Sequence, residues 1–280
     1  MLYFVATPIG NLKEITYRAV EVLGAVDCIY AENPRHSLVL LNEYGIKKPV
    51  FEHQKFSERE KTAEIIEKLK SGLTIAVVSD AGTPLISDPG SVLVAELIKN
   101  ELPYTLVNGP CAAVAAVVLS GINAGAFCMA GFLPEKKGER EAFIARFLKL
   151  EATLVFYAAV HDVIKDLAFL HKRLGARKAA VVREISKKFE SVTRFTLGEA
   201  PEFPLRGEIV LVIEGYKPQD SAQERPSVAE ALRTLIDAGA DKKEAVKLVA
   251  AEYGMKKSEV YLESVVISTK NEKRKTKNEG

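Results

Sequence analysis

The sequence is poor in residues that build disulfide frameworks or metal centres. It contains no tryptophan, four histidines and three cysteines in 280 residues. Cys28, Cys111 and Cys128 form no CxxC pair, and such a sparse, odd count favours a reducing compartment. Since the histidines also lack metal-ligand spacing, we predict a protein without a metal site.

Long apolar runs and a strong charge imbalance are absent too. No stretch reaches the roughly 18 apolar residues that a membrane-spanning helix needs. Residues 2–6 resemble a strand rather than a signal peptide, so we expect a cytoplasmic protein with no membrane partner. The net charge is only +2, which gives little support to broad attraction for nucleic acid. Any RNA-binding surface must therefore be local.

Strand-like and helix-like segments alternate through the first half of the chain, and hydrophobic residues make up 48% of the sequence. Short continuous apolar runs of this kind suit strands buried on both faces of a sheet. The alternation predicts an α/β domain with a mostly parallel sheet covered by helices. The predicted strands are residues 2–6, 26–31, 74–78 and 104–107.

Local signals predict where the helices between these strands begin. Thr16 is a candidate N-cap, and Ser57 with Glu60 forms a candidate capping box. Asp88 precedes Pro89, which predicts an N-cap followed by proline in the first helical turn.

The second half predicts a different sheet. Residues 108–110, Asn-Gly-Pro, interrupt the alternation, and the later strands cluster, which favours a mixed sheet with fewer crossover helices. The predicted strands are residues 127–130, 153–157, 178–183, 193–197 and 208–214, with helices at 113–119, 140–150 and 163–174.

A polar, proline-bearing segment and a small helical module follow this sheet. Two short helices are predicted at residues 228–236 and 243–253, the second with Ala245, Leu248 and Val249 inward. The predicted domains are residues 1–108 and 109–216, a linker at 217–226, the helical module at 227–268, and a basic disordered tail at 269–280.

Three turn-rich segments follow predicted parallel strands, where open α/β sheets bind ligands. They are residues 7–11, 79–90 and 108–113. In the segment 79–90, Gly82 leaves room for close backbone approach, while Asp80 and Thr83 offer polar groups. Taken alone, this segment equally fits a tight strand-to-helix turn without a ligand. Residues 7–11 lack the GxGxxG fingerprint, which excludes an ordinary dinucleotide site.

The segment after the second strand carries Glu32, Arg35 and His36. Arginine binds phosphate with two parallel hydrogen bonds, and histidine can move a proton near neutral pH. The group therefore suits an anionic or ribose-bearing substrate, although a solvated loop explains it as well.

Together these segments carry a resemblance. Their order and spacing over residues 2–215 resemble the ribosomal RNA small subunit methyltransferase I family of the tetrapyrrole methylase superfamily. The most specific part is SDAGTPLISDPG at residues 79–90. The other matching motifs are VATPIGN at 5–11, AE at 31–32 with RH at 35–36, NGPCAA at 108–113, GFLP at 131–134, Gly138 with Arg140, FY at 156–157, RE at 183–184 and RGE at 206–208.

The resemblance implies a two-domain tetrapyrrole-methylase-like α/β fold with parallel and mixed sheets, plus a small C-terminal helical module, and usually a homodimer. It implies S-adenosyl-L-methionine as methyl donor, no metal, and the 2′-hydroxyl of a cytidine in 16S rRNA within the 30S ribosomal subunit as acceptor. A ribose hydroxyl needs activation, so Glu32 is the candidate base and Arg35 the candidate for phosphate positioning. The cofactor contacts implied by motif position are Pro8, Asp80, Ala81, Gly82, Thr83, Ile86, Cys111, Ala112, Tyr157 and Ala158.

Three positions depart from the family pattern, one of them Ala158, where the family has glutamate. Asn33 stands where members usually carry aspartate, and Asp162 follows His161 where the family has arginine. Two alternatives therefore stay open: a methylase of a corrin-type tetrapyrrole, and a degenerate RNA-binding relative without activity. The lysines of the helical module, Lys242, Lys243, Lys247, Lys256 and Lys257, fit either RNA docking or a packing element.

Overall fold

The first half folds around a parallel sheet. The computed structural model describes residues 1–54, 58–88, 90–218 and 227–262. Five strands, β1 (Leu2–Val5), β2 (Cys28–Ala31), β3 (Val50–Glu52), β4 (Ile75–Val78) and β5 (Tyr104–Val107), pair in the order β3-β2-β4-β1-β5. Every pairing is parallel, as the alternating pattern predicts. The C-terminal ends of all five strands therefore meet at one edge.

Helices cover both faces of this sheet. Helices α3 (Glu58–Lys70) and α4 (Ser91–Lys99) pack on one face, and α1 (Tyr17–Ala25) and α2 (Pro34–Glu43) on the other. The residues between them form two apolar layers, with Ile65, Leu69, Leu93 and Leu97 against Leu2 and Phe4, and Ala19, Leu23 and Leu41 against Val5 and Ile29.

The helix starts confirm one prediction and correct another. The Thr16 hydroxyl accepts a hydrogen bond from the N–H of Ala19, so Thr16 caps α1 as predicted. Asp88 does not cap α4: the cap position is Gly90, and Glu58 accepts from the N–H groups of Gly90 and Val92 at 2.8 and 3.2 Å. Because a carboxylate from α3 already satisfies these donors, the start of α4 does not need Asp88 as its cap. The predicted contributions of Ser57 and Pro89 lie outside the described residues.

The second half forms a mixed sheet. Strands β6 (Phe127–Phe132), β7 (Thr153–Ala158), β8 (Lys178–Arg183), β9 (Ser191–Thr196) and β10 (Ile209–Ile213) pair in the order β6-β7-β10-β8-β9. Only the β6–β7 pairing within this sheet is parallel, which confirms the predicted mixed character. Helix α5 (Ala112–Ser120) packs on one face, and α6 (Lys137–Ala145) with α7 (Val163–Leu174) on the other.

Helix α6 ends earlier than residues 140–150 predict. After Ala145 the backbone donors reach three residues back, from Arg146 to Phe143 and from Phe147 to Ile144. This tighter turn places Phe147 in the same core cluster as Phe156 of β7. The two rings pack edge to face, with 6.3 Å between their centres.

The chain falls into two compact units, Met1–Tyr216 and Lys217–Gly280. In the second unit, α8 (Val228–Asp237) begins with the capping box of Ser227 and Glu230, and α9 (Lys242–Tyr253) packs against it. The inward positions of Ala245 and Val249 are confirmed, but Leu248 is 49% exposed and Val246 is buried instead. The predicted basic tail, and residues 219–226 of the predicted linker, lie outside the described residues.

Among the described helices, none combines the length and apolar character required to cross a bilayer.

Candidate functional site

A cavity of about 290 Å³ lies in the first unit, at the C-terminal ends of strands from both sheets. Its walls come from the loops that follow β1, β4 and β5, from the ends of β6 and β7, and from the start of β10. The lining residues are Ile9, Ala81, Gly82, Thr83, Ile86, Ser87, Asp88, Cys111, Ala112, Phe132, Tyr157, Ala158, Glu208, Ile209 and Val210.

Hydrogen bonds join the three loops of the parallel sheet. Thr7 and Gly82 exchange two backbone hydrogen bonds of 2.9 and 3.0 Å. The Thr83 hydroxyl donates to the carbonyl of Pro110 at 3.2 Å, which ties the second loop to the third. Gly82 has φ +80°, and a Cβ there would come within 3.3 Å of the Ile9 side chain. The loops therefore form one rigid wall with room for a ligand against the backbone.

The cavity is mainly apolar, with a few polar groups that can orient a ligand. Burial raises the pKa of Tyr157 to about 12, so its phenol stays protonated and neutral. Asp88 adds a carboxyl group to the lining, which suits a ligand with positive charge, whereas the lining residue Glu208 pairs with Lys187.

Asp88 connects this cavity to an acidic crevice. It also lines a narrow crevice of about 10 Å³ together with Glu32, His53 and Ser79. Burial, and then the charges of Glu32 and Asp80, raise the pKa of Asp88 to about 6. Burial and the charge of Asp80 likewise raise the pKa of Glu32. The crevice therefore holds two carboxyl groups with raised pKa values, and that of Asp88 lies within about one unit of neutral pH.

His53 lies in the same crevice, although nothing in the sequence around it pointed there. Its side chain is buried, and Nε2 has no hydrogen-bond partner among the described residues. Burial lowers the pKa of His53, so the ring is neutral at pH 7. The crevice has about the volume of one water molecule, and such a water would have Asp88, Glu32 and His53 as polar neighbours.

The structure brings most of the implied cofactor contacts together in the lining of the cavity. The exceptions are Pro8 and Asp80, which line a neighbouring pocket with His36 and Leu12. The eight that line the cavity are Ala81, Gly82, Thr83, Ile86, Cys111, Ala112, Tyr157 and Ala158.

The proposed acceptor residues lie in a separate, open groove. Glu32, Asn33 and Arg35 line this groove together with Asp80 and Phe51. Asn33 caps α2, accepting from the N–H of His36, and its own N–H donates to Asp80 at 3.1 Å. The departure from aspartate therefore preserves the helix start. His161 is exposed and contacts Asp162 at 3.1 Å, just past the end of β7.

Sequence reasoning missed several lining residues. Phe132 lies at the end of β6, where a register shift between Met129 and Gly131 redirects the strand. Its ring packs against Tyr157, with 5.4 Å between ring centres. The GFLP motif was visible, but its contact with Tyr157 depends on strand pairing. Glu208 and Val210 enter the cavity because β10 lies beside β7.

No group of three or more His, Cys, Asp or Glu side chains within the described ranges is placed to hold a metal ion.

Comparison with known proteins agrees with this architecture. A profile of the family described as Tetrapyrrole (Corrin/Porphyrin) Methylases matches residues 1–201. Among solved structures, diphthine synthase superimposes with a TM-score of 0.61 at 17% identity, covering 76% of this chain and 89% of that one. A Thermus thermophilus uroporphyrin-III C-methyltransferase bound to S-adenosylhomocysteine gives 0.55 at 16% identity, covering 76% and 96%. The family match and the shared fold place the chain in the family of tetrapyrrole methylases.

Closer relatives narrow the assignment. The ribosomal RNA small subunit methyltransferase I of Pasteurella multocida is 43% identical over 93% of this chain and 95% of its own length. The proteins of the same name from Escherichia coli O157:H7 and Bacillus subtilis are 41% and 37% identical, covering 93% of this chain and 93% and 92% of their own lengths. The chain belongs to the ribosomal RNA small subunit methyltransferase I family.

Proposed function

We propose that the protein transfers a methyl group from S-adenosyl-L-methionine to the 2′-hydroxyl of a cytidine in 16S rRNA within the 30S subunit. The observation that carries the proposal is the cavity in which the loops after β1, β4 and β5 are joined by hydrogen bonds. The names of relatives up to 43% identical over nearly the whole chain support a ribosomal RNA substrate.

The cavity fits the donor in shape and charge. The positive φ of Gly82 leaves its backbone open to an adenosyl group, and Ile9 and Val210 supply apolar walls. The carboxylate of Asp88 favours a cationic ligand. When bound, the donor supplies a methyl group on a positively charged sulfur. The eight implied contacts that line the cavity would hold it there.

The acceptor hydroxyl must lie in line with the methyl group, about 3 Å away, and must lose its proton. The geometry adds Asp88 to Glu32 as a candidate base. Asp88 lines both the cavity and the crevice, whereas Glu32 lines the crevice and the open groove. A base is most effective when its pKa is close to the working pH, and Asp88, at about 6, meets this condition. Glu32 then keeps the pKa of Asp88 high through its charge.

Arg35 is proposed to position a phosphate. It lies at the start of α2 and lines the open groove beside Glu32 and Asp80. A guanidinium there can bind a backbone phosphate next to the acceptor nucleotide through paired hydrogen bonds.

We also propose that the chain forms a homodimer. Val114 and Val118, one turn apart on α5, are 48% and 70% exposed, and such an apolar strip is typical of a buried contact. Light scattering on the purified full chain tests this directly. A monomer mass throughout the micromolar range would contradict it.

Mass mapping of ribose methylation tests the reaction. The purified chain and methyl-labelled donor are incubated with 30S subunits from cells lacking this activity, and in parallel with a corrin-type tetrapyrrole. The expected result is label on one cytidine ribose of 16S rRNA. Label only on the tetrapyrrole, or on neither acceptor although calorimetry shows donor binding, would reject the proposed acceptor.

A further inference from the structure

Two motifs of the sequence, Arg183-Glu184 and Arg206-Gly207-Glu208, do not line the cavity, apart from Glu208. The structure joins them. The N–H of Glu184 donates to the carbonyl of Glu208 at 3.0 Å, and the Glu184 carboxylate accepts from the N–H of Glu208 at 2.9 Å. Gly207 has φ +82°, and a Cβ there would collide with the Glu184 side chain. Glycine is therefore required for this close approach.

Arg183 fixes the two loops that leave this junction. Its side chain is 4% exposed, and its guanidinium donates to the carbonyls of Phe189 at 2.9 Å and Arg206 at 3.3 Å. It also donates to the Ser191 hydroxyl at 3.2 Å. One buried cation thus holds the β8–β9 loop against the segment that precedes β10.

The β8–β9 loop is itself tightly constrained. Glu184 and Ser186 have φ of +52° and +64°, values that non-glycine residues rarely adopt. The Ser186 N–H donates to the Glu190 carboxylate at 2.7 Å, and a Cβ on Gly10 would come within 2.6 Å of the Ile185 carbonyl. The loop therefore packs against the turn after β1, which forms part of the cavity wall. Backbone strain held in this way is typical of functional loops.

The junction displays an aromatic ring with cations at the surface. Phe189 is 53% exposed. The Lys188 ammonium lies 5.6 Å from its ring centre, and the Arg206 guanidinium 5.3 Å. Lys188 and Arg206 are exposed too, whereas Lys187 pairs with Glu184 and Glu208. Arg206 lies two residues before Glu208, which lines the cavity, and Arg183 connects Arg206 to Phe189.

We infer that Lys188, Phe189 and Arg206 form a docking surface for a single-stranded RNA segment beside the nucleotide that is methylated. A base stacks on Phe189, and the flanking phosphates contact Lys188 and Arg206. Proteins usually bind unpaired bases through exposed aromatic residues that are surrounded by cations. This also meets the requirement for a local footprint on a chain of net charge +2. The inference rests on RNA being the substrate, as proposed above.

Full-length variants test it with two readouts. Phe189→Ala removes the ring, Phe189→Trp restores stacking, and Lys188→Gln with Arg206→Gln removes the cations. Phe127→Ala and Lys178→Ala are matched controls, because both residues are exposed and lie at the opposite end of the same sheet. RNA affinity is measured by anisotropy with a labelled twelve-nucleotide oligocytidine, and KM and kcat with unmethylated 30S subunits. Calorimetry with S-adenosylmethionine reports whether the donor site is intact.

Phe189→Ala is expected to weaken RNA binding roughly 5- to 100-fold and to raise KM, with tryptophan rescuing both. The double glutamine variant is expected to reduce the salt slope of log K by roughly 1.4, about 0.7 for each phosphate that is no longer neutralised. Wild-type affinity and KM in Phe189→Ala would overturn the inference while leaving the reaction intact. Weaker binding to 30S subunits with unchanged oligocytidine binding would assign the surface to a ribosomal protein and overturn it as well. Failure of the wild-type chain to methylate 30S subunits would instead reject the proposed function.

Discussion

Asp88 and Glu32 line the same narrow crevice, and Asp88 also lines the cavity of about 290 Å³. Burial, and then the charges of Glu32 and Asp80, raise the pKa of Asp88, while burial and the charge of Asp80 raise the pKa of Glu32. Sequence reasoning assigned the role of base to Glu32 alone. In the proposed mechanism Asp88 removes the proton of the hydroxyl, while Glu32, which borders the open groove, raises the pKa of Asp88 through its charge.

Asp88→Asn is therefore expected to lower kcat roughly 10²- to 10⁴-fold, the usual contribution of a general base. Donor affinity should fall as well, because the carboxylate that favours the cationic donor is lost, so kcat is measured at saturating donor. In the wild-type enzyme, kcat should rise with pH through a midpoint near 6, as Asp88 loses its proton. The measurement is single-turnover methylation of 30S subunits between pH 5 and 8.

Glu32→Gln is the matched comparison for that experiment. Removing the charge of Glu32 should lower the pKa of Asp88 and move the midpoint to lower pH, with kcat at pH 8 largely retained. If Glu32→Gln abolishes turnover and Asp88→Asn does not, the base is Glu32 and not Asp88.

A second prediction concerns stability and follows from the same raised pKa. Folding favours the protonated form of Asp88. The stabilisation of the folded state by this proton is complete below about pH 4 and is lost as pH rises through about 6. Asp88→Asn should therefore be more stable than wild type at pH 7.5, on the order of 1 kcal/mol after allowance for solvent screening. Urea denaturation at pH 4 and pH 7.5 measures this. The exposed carboxyl of Glu43, changed to glutamine, is the control and should show no such pH-dependent gain.

Arg140 belongs to the motifs that matched the family, yet the structure gives it a structural role. Its guanidinium pairs with Asp166 on α7, with side chains 13% and 8% exposed, and lies 4.4 Å from the Phe169 ring centre. Burial raises the pKa of Asp166 more strongly than the charge of Arg140 lowers it. The pair is therefore a desolvated contact between α6 and α7.

Arg140→Met should leave a buried carboxylate without its cation and cost about 3–5 kcal/mol at pH 7. The double variant Arg140→Met, Asp166→Leu should recover most of this loss, because neither charge then remains buried. Chemical denaturation measures both free energies of unfolding. A single variant as stable as wild type, or a double variant no better than the single one, would contradict this role.

Particular residues show how far sequence reasoning reaches. The buried strands of the parallel sheet were predictable because β2 and β4 are apolar at every position. Strand β3 was missed, since it has three residues and borders solvent at the sheet edge. Helix α2 was missed because its polar start, Asn33 to His36, equally fits a loop until the His36 N–H is seen to donate to the Asn33 side chain.

The candidate site likewise has some features that could be predicted from the sequence and others that could not. The loops that follow β1, β4 and β5 could be predicted as neighbours, because parallel strands end at one edge. The role of Asp88 could not, because it depends on Glu58 capping α4 from a helix 32 residues earlier in the chain. Phe132 and Glu208 depend likewise on the pairing of β6, β7 and β10.

Asn33 provides a final test of the acidic crevice. Its N–H donates to Asp80, and its side chain caps α2, a position where aspartate and asparagine are about equally stabilising. Asn33→Asp should therefore change the free energy of unfolding by less than about 0.5 kcal/mol. The added negative charge beside Glu32 and Asp80 should raise the pKa of Asp88 in the crevice. The midpoint of the pH–rate profile should therefore move upward.

Asn33→Ala serves as the control for this change, because it removes the cap without adding charge. It should cost about 1 kcal/mol of stability and leave the midpoint where it is. If the two variants shift the midpoint equally, or if neither does, the charges that line the groove do not set the pKa of Asp88. An upward shift confined to Asn33→Asp would show that this chain, with asparagine where its family usually carries aspartate, works at a lower pH than an otherwise identical enzyme.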